Sequence, residues 1–190
     1  MKKLLLAAIA ATGLLASCGG PEVNQDGASI EMTGIKTEYR TASGQYVACD
    51  ETSLGATKTQ VAVYFTAAGT ISSVDIGLKG QTTSAYDANY TVTYTGSQLA
   101  QTGGNSFKAV FDADSTVGLL PQAITVTPAA RTVKIVSVSS TDWVGGGFYA
   151  DLQLNTPYGS DTASTSSLGT LGNIPVYSYC TVIGTTSEEL

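Results

Sequence analysis

The absence of histidine limits the chemistry that this 190-residue chain can do. Without an imidazole it cannot build Ser-His-Asp or Cys-His catalytic groups, and it lacks the usual ligand of zinc, copper and non-haem iron sites. Pairs of carboxylates remain, since two acids about 5 to 10 Å apart can hydrolyse glycosidic bonds. The candidates are Asp50 with Glu51, Asp112 with Asp114, and Asp142 or Asp151 near Trp143. The first two pairs end apolar runs, where acids commonly mark turns, so we predict a protein that is not an enzyme.

Metal and phosphate motifs are incomplete. The run from Asp112 to Ser115 begins like a calcium loop, but Thr116, Val117 and Ala123 stand where the EF-hand pattern requires a further ligand, a Gly and a Glu. A looser calcium site at a strand end stays open. The run 145–147 contains three glycines but no following Lys-Ser/Thr pair, so it is not a phosphate loop. We predict no metal and no cofactor.

The first twenty residues have the features of an export signal. Lys2 and Lys3 are followed by an apolar run over residues 4–15, which is too short for a membrane span of roughly 20 residues. The run leads into Leu15-Ala16-Ser17-Cys18, which resembles the lipobox of bacterial lipoprotein signal peptides. The resemblance implies cleavage after residue 17, diacylglycerol on the Cys18 thiol and usually an acylated new N-terminus. It predicts a membrane anchor made of lipid alone.

The same resemblance implies a location and a redox compartment. The protein would lie outside the cytoplasm in the cell envelope, and on the outer membrane if the cell has two membranes, because Gly19 is not the Asp that retains such proteins at the inner one. Without the signal the chain has 173 residues, with 7 basic and 15 acidic, a net charge of −8. An acidic chain repels phosphate backbones, so we expect no nucleic-acid partner.

Once Cys18 carries lipid, two cysteines remain in a compartment that permits disulfides. Cys49 shares one face of an expected strand with Val47, and Cys180 shares a face of another with Val176 and Val182. Both thiols would therefore point into a core. We predict a disulfide between them; two separate buried thiols are the alternative.

Apolar residues alternate with polar or small ones along most of the chain, which is typical of half-buried strands. The clearest runs are Val61-Val63-Phe65, Val74-Ile76-Leu78, Tyr90-Val92-Tyr94, Phe107-Ala109-Phe111 and Phe148-Ala150-Leu152-Leu154, with further strands at Ile124-Val126, 132–138 and 174–183. The pattern changes phase at Thr33-Gly34, which predicts a bulge or two short strands. This spacing predicts an all-β, immunoglobulin-like β-sandwich of about nine to ten strands.

The composition divides the chain into four parts. Residues 1–17 are the expected signal peptide, 18–28 a flexible tether, 29–184 the sandwich domain and 185–190 a C-terminal tail. Within the domain, the run 156–173 is rich in Ser, Thr and Gly and has no apolar period, so it is the longest expected loop.

Aromatic residues in glycine-rich sequence are the remaining candidates for a binding surface. Trp143, the one tryptophan, precedes Gly145, Gly146 and Gly147, and glycines permit close approach of another chain or a sugar ring. Tyr158 is a possible addition to this surface. The competing interpretation is that Trp143 plugs one end of the sandwich.

We therefore predict a non-catalytic, lipid-anchored envelope protein that binds a macromolecular partner or supports a surface assembly. A carbohydrate or small-ligand binding module is the alternative, so the partner would be an envelope protein or a glycan. An unpaired edge strand or an apolar patch would favour assembly, whereas aromatics over an open groove would favour the binding module.

Overall fold

A computed structural model describes residues 29–81, 91–114, 123–126 and 129–190. This part of the chain is almost entirely β-structure, which confirms the predicted all-β sandwich. It contains fourteen strands, more than the nine or ten predicted. They are β1 Ser29–Thr37, β2 Tyr39–Thr41, β3 Tyr46–Cys49, β4 Lys58–Ala68, β5 Ser73–Gly80, β6 Thr91–Thr95, β7 Ala100–Gly103, β8 Ser106–Asp114, β9 Ala123–Val126, β10 Thr132–Ser137, β11 Trp143–Thr156, β12 Gly159–Ser164, β13 Ile174–Tyr177 and β14 Thr181–Glu189.

The strands form two sheets. The smaller sheet has the order β1-β4-β8-β7, with β9 also paired to β8. The larger sheet has the order β14-β10-β2-β3-β13-β11-β5-β6, with β12 also paired to β11. Most neighbours are antiparallel, but β10 pairs with β2 and β13 with β3 in parallel. The long strand β11 therefore has β5 along one edge, and β13 followed by β12 along the other.

The main core lies between these sheets and follows the alternation read from the sequence. Phe65 and Phe111 of the smaller sheet and Phe148 of the larger sheet are fully buried. Burying each such side chain contributes about 1.5 to 3 kcal/mol. The neighbouring strand positions face the other way, as the 2.0-residue period requires. The phase change at Thr33-Gly34 is a bulge, because the pairing of β1 with β4 shifts between Met32 and Gly34.

The extra strands arise where apolar periodicity is weak or interrupted. The run 174–183 is two strands rather than one, because residues 178–180 leave the sheet between β13 and β14. The run 156–173 is not a loop: it contains β12 and a 3₁₀ segment, Thr165–Gly172. Residues 185–189, expected to form a tail, continue β14, and Leu190 after them is buried.

The predicted signal, Cys18 and the whole of the tether lie outside the described residues. Within the described ranges, no helix has the length and apolar content needed to cross a bilayer.

Candidate binding surface

Cys49 and Cys180 form a disulfide, as predicted, with a Cα–Cα distance of 5.8 Å. Cys49 ends β3, and Cys180 lies between β13 and β14. Both are buried in a second, smaller core with Tyr39, Val47 and Val136. The bridge therefore joins the segment that links the last two strands to an early strand of the same sheet.

Four large apolar side chains are exposed on the turn and strand segments that neighbour this bridge, and we call them the disulfide patch: Leu54, Trp143, Tyr179 and Ile183. Their exposed fractions are 68%, 54%, 39% and 59%. Soluble proteins rarely expose contiguous apolar surface unless it is used in recognition.

Backbone hydrogen bonds bring the elements of the disulfide patch together. Leu54 lies in a turn whose Ser53 N–H donates to the Cys180 carbonyl oxygen (2.9 Å), and the Val182 N–H donates to the Ser53 hydroxyl (3.0 Å). Trp143 pairs with Tyr177, which in turn pairs with Cys49. Neighbouring strands lie about 4.8 Å apart, so Trp143 lies within a few strand spacings of the disulfide.

Trp143 does not plug the sandwich, since it begins β11 and is more than half exposed. The conformation and packing of this chain explain two of the glycines that follow Trp143. Gly145 has a φ of +77°, a conformation that glycine adopts without strain. A Cβ on Gly147 would lie 2.4 Å from the Ile174 carbonyl oxygen of β13. Gly147 is therefore required by a close approach of backbone, but the backbone that approaches is that of β13 and not that of a partner. Gly146 lies between Gly145 and Gly147.

The structure does not bring Tyr158 to this surface. Tyr158 is 71% exposed in the turn between β11 and β12, next to the pair Thr156 and Gly159. Trp143 lies at the opposite end of β11. Tyr158 and the disulfide patch are therefore separate features.

Two of the candidate acids, Asp112 and Asp151, are held in ion pairs. Asp112 pairs with Arg131 (2.9 Å), and the buried Glu38 pairs with Arg131 (2.7 Å) and Lys134 (2.8 Å). Burial alone would lower the pKa of Arg131, but Glu38 and Asp112 outweigh it, and the pKa is raised. This network joins the residue between β1 and β2 to β8 and β10, which is a structural role.

A second charged cluster fastens β14. Glu188 pairs with Lys36 and Arg40, both at 2.7 Å, and accepts a hydrogen bond from the Tyr46 hydroxyl at 2.6 Å. The hydrogen bonds from Lys36 and Tyr46 lower the pKa of Glu188. Leu190 packs beside them with Ala62, Val110 and Val133. The predicted tail is thus an ordered part of the sheet.

A polar groove of about 620 Å³ lies on β5, β11 and β12. Its lining includes Asp75, Lys79, Asp151, Gln153, Thr162 and Ser164. Of these, Asp151 alone was a sequence candidate, and it pairs with Lys79 at 2.5 Å. Asp75, Lys79 and Gln153 are polar positions between apolar residues of β5 and β11, so the alternation predicts that they face outward. Thr162 and Ser164 lie on β12, which has no such alternation, and the strand order is needed to show that all five lie together. Among the described residues, no group of His, Cys, Asp or Glu side chains is arranged to hold a metal ion.

Comparisons with models of protein families, with curated proteins and with solved structures found no match to this chain.

Proposed function

We propose that this protein is a non-catalytic, lipid-anchored component of the cell envelope that binds a protein partner through the disulfide patch. The observation that carries the proposal is the exposure of Leu54, Trp143, Tyr179 and Ile183 on segments that are hydrogen-bonded or strand-paired close to one covalent bridge. Trp and Tyr are enriched at the centres of protein interfaces, where a few such residues supply most of the binding energy.

The bridge makes the exposed patch useful for binding. Its cysteines are buried, and the turn holding Leu54 is hydrogen-bonded to Cys180. Side chains on a framework fixed in this way lose less conformational entropy when a partner docks, so more of the buried apolar area contributes to affinity.

The position of the anchor favours a protein partner over the membrane surface. The Ile30 N–H donates to Asp161 (3.1 Å), and Asp161 pairs with Leu154. The start of β1 therefore lies near residue 154 of β11, roughly 36 Å from Trp143 at about 3.3 Å per residue. A lipid on Cys18 would be joined to that end through residues 19–28, so the disulfide patch lies at the end of β11 that is farther from the point of attachment.

The contacts of the acids support a non-catalytic role. Glycoside hydrolysis needs one carboxyl that donates a proton and a second that acts as nucleophile or base. Here Asp112 and Asp151 each have a cationic partner. Their charges are used to hold strands together.

The anchor is tested by Cys18→Ala. We expect the variant to leave the membrane fraction completely, because lipid is the one attachment that the sequence offers. Fractionation of cells followed by detection of the protein in membrane and soluble fractions measures this. A variant that still sediments with membranes would contradict the lipid anchor.

The partner is tested by chemical crosslinking in native membranes, with captured proteins identified by mass spectrometry. The wild type should capture a defined protein, and Trp143→Ser together with Ile183→Ser should lose it. Tyr158→Ser is the matched control, because it removes an even more exposed aromatic beyond the other end of β11. Equal capture by all three proteins would contradict the proposed surface.

A further inference from the structure

The outer face of four neighbouring strands forms a polar platform that the disulfide patch does not use. In the order β12-β11-β5-β6, Asp151 pairs with Ser164 and Gly77, and Gln153 pairs with Thr162 and Asp75. On the next strand, Thr93 pairs with Asp75. Cross-strand partners share a face, so these side chains stand together. All of them except Thr93 belong to residues that line the groove of about 620 Å³.

The polar groups of this groove are fixed by one another. Asp75 accepts hydrogen bonds from the Thr93 hydroxyl (2.5 Å) and from the Asn155 amide (2.7 Å). The Lys79 ammonium is paired with Asp151 at 2.5 Å. A ligand meeting these groups finds donors and acceptors already oriented, which reduces the entropy lost on binding.

The charge and shape of the groove select the ligand class. Lys79 offsets Asp151, so Asp75 leaves the lining slightly negative on a protein of net charge −6, which disfavours phosphates and other anions. The other polar side chains, those of Gln153, Thr162 and Ser164, offer an amide and two hydroxyls, the groups that bind sugar hydroxyls, and Leu152 and Ala163 add apolar lining.

An aromatic ring completes this arrangement. Tyr149 precedes Asp151 by two residues on the outward face of β11 and pairs with Lys79 across β5. It is partly exposed and lies next to Lys79, which lines the groove. A ring of this kind contacts the C–H face of a sugar while its neighbours bind the hydroxyls.

We propose that this groove binds a neutral oligosaccharide. The proposal rests on residues 75–79, 149–153 and 162–164 and is independent of the partner at the disulfide patch. It gives the protein a second contact, made with glycan rather than with protein.

The test is titration of the whole mature protein with maltotriose, cellotriose and N-acetylchitotriose, followed by calorimetry or ligand-observed NMR. We expect at least one trisaccharide to bind. Thr162→Val and Gln153→Ala should each weaken binding by about two- to tenfold, which corresponds to the loss of one net hydrogen bond. Both side chains are exposed, so thermal unfolding should be unchanged.

Thr185→Val, at an exposed position of β14, is the matched control and should bind as the wild type does. Trp143→Ser should also bind normally, which separates this proposal from the proposed function. No binding of any trisaccharide at millimolar concentration would overturn the proposal. So would equal affinities in Thr162→Val and Thr185→Val, or tighter binding of trigalacturonate, an acidic trisaccharide, than of the neutral probes.

Discussion

The two halves of strand β11 carry surfaces of opposite character. Near Trp143 the surface is apolar and exposed, and it surrounds a covalent bridge between β3 and the segment joining β13 to β14. From Asp151 to Asn155 the outward side chains are polar and bonded to their neighbours on β5. Both halves share the same buried face, which packs in the main core.

The difference shows how one strand can serve two kinds of contact. Each Å² of apolar side chain that stays in water forgoes about 25 cal/mol of burial free energy. Because of this cost, an exposed apolar patch is typical of a surface that a partner covers. A polar platform has no such cost, and its mutual hydrogen bonds fix its shape without a partner. The first surface therefore fits a protein, and the second fits a ligand rich in hydroxyls.

Removal of the disulfide should have the largest effect on stability, and it should affect the disulfide patch rather than the polar groove. The bridge closes a span of 131 residues, for which chain entropy gives at most about 5 kcal/mol. We expect Cys49→Ala with Cys180→Ala to lower the free energy of unfolding by about 3 to 5 kcal/mol, measured by urea unfolding. Trisaccharide binding by the folded variant should be retained. A loss below about 1 kcal/mol would mean that the strand pairing alone holds the patch.

Gly147→Ala should have the next largest effect, because a Cβ would collide with the backbone of β13. We expect a destabilisation of about 1 to 3 kcal/mol, as for other overpacked sites, together with weaker partner capture as Trp143 shifts. Gly34→Ala is the control, since its Cβ would meet nothing within 4 Å. Equal thermal stability of the two variants would contradict the close contact between β11 and β13.

Acid should loosen β14, which carries Ile183 of the patch and is fastened at Glu188. The pKa of Glu188 is lowered from its ordinary value of 4.5 by Lys36 and Tyr46. Its contribution to stability is therefore present above that value and is lost as the pH falls through the lowered pKa. The free energy of unfolding is measured for the wild type and for Glu188→Gln from about pH 6 to pH 3. The wild type should be the more stable protein near pH 6, and the difference between the two should become smaller toward pH 3. A difference that does not change with pH would contradict this charge pairing.

Trp143→Ser should have the smallest effect on stability and a large effect on binding. More than half of the side chain is exposed, so the free energy of unfolding should change by less than about 1 kcal/mol. Partner affinity should fall by about tenfold or more, as for an interface anchor. Calorimetry with the captured partner measures the second value. A large loss of stability with unchanged affinity would make Trp143 a packing residue.

The elements that could be predicted are those that depend on residues close together in the sequence. The alternation in β4, β5, β8 and β11 follows directly from burying one strand face, and the disulfide follows from two cysteines with apolar neighbours. Strand β12 was missed because its sequence, Gly159–Ser164, contains one apolar residue and is held by backbone pairing to β11.

The candidate surfaces needed contacts that are distant in sequence. Leu54 and Ile183 join Trp143 through hydrogen bonds and strand pairs around Cys180, and local periodicity does not indicate them. Likewise, Asp75 and Thr162 are ordinary polar positions until strand order places both beside β11. The sequence predicts Tyr158 and Trp143 on one surface because both lie near glycines. In the structure the 14-residue strand β11 begins at Trp143 and ends just before Tyr158, so the two side chains lie far apart.

The central claim is that a protein partner docks on the disulfide patch, and site-specific photocrosslinking tests it most directly. The photoreactive residue p-benzoylphenylalanine replaces Tyr179 in one protein and Tyr158 in another, each expressed in its native membrane and irradiated. We predict one discrete crosslinked protein from position 179 and none from position 158. Crosslinks to lipid at position 179, equal crosslinks from both positions, or a partner captured at position 158 alone would contradict the account.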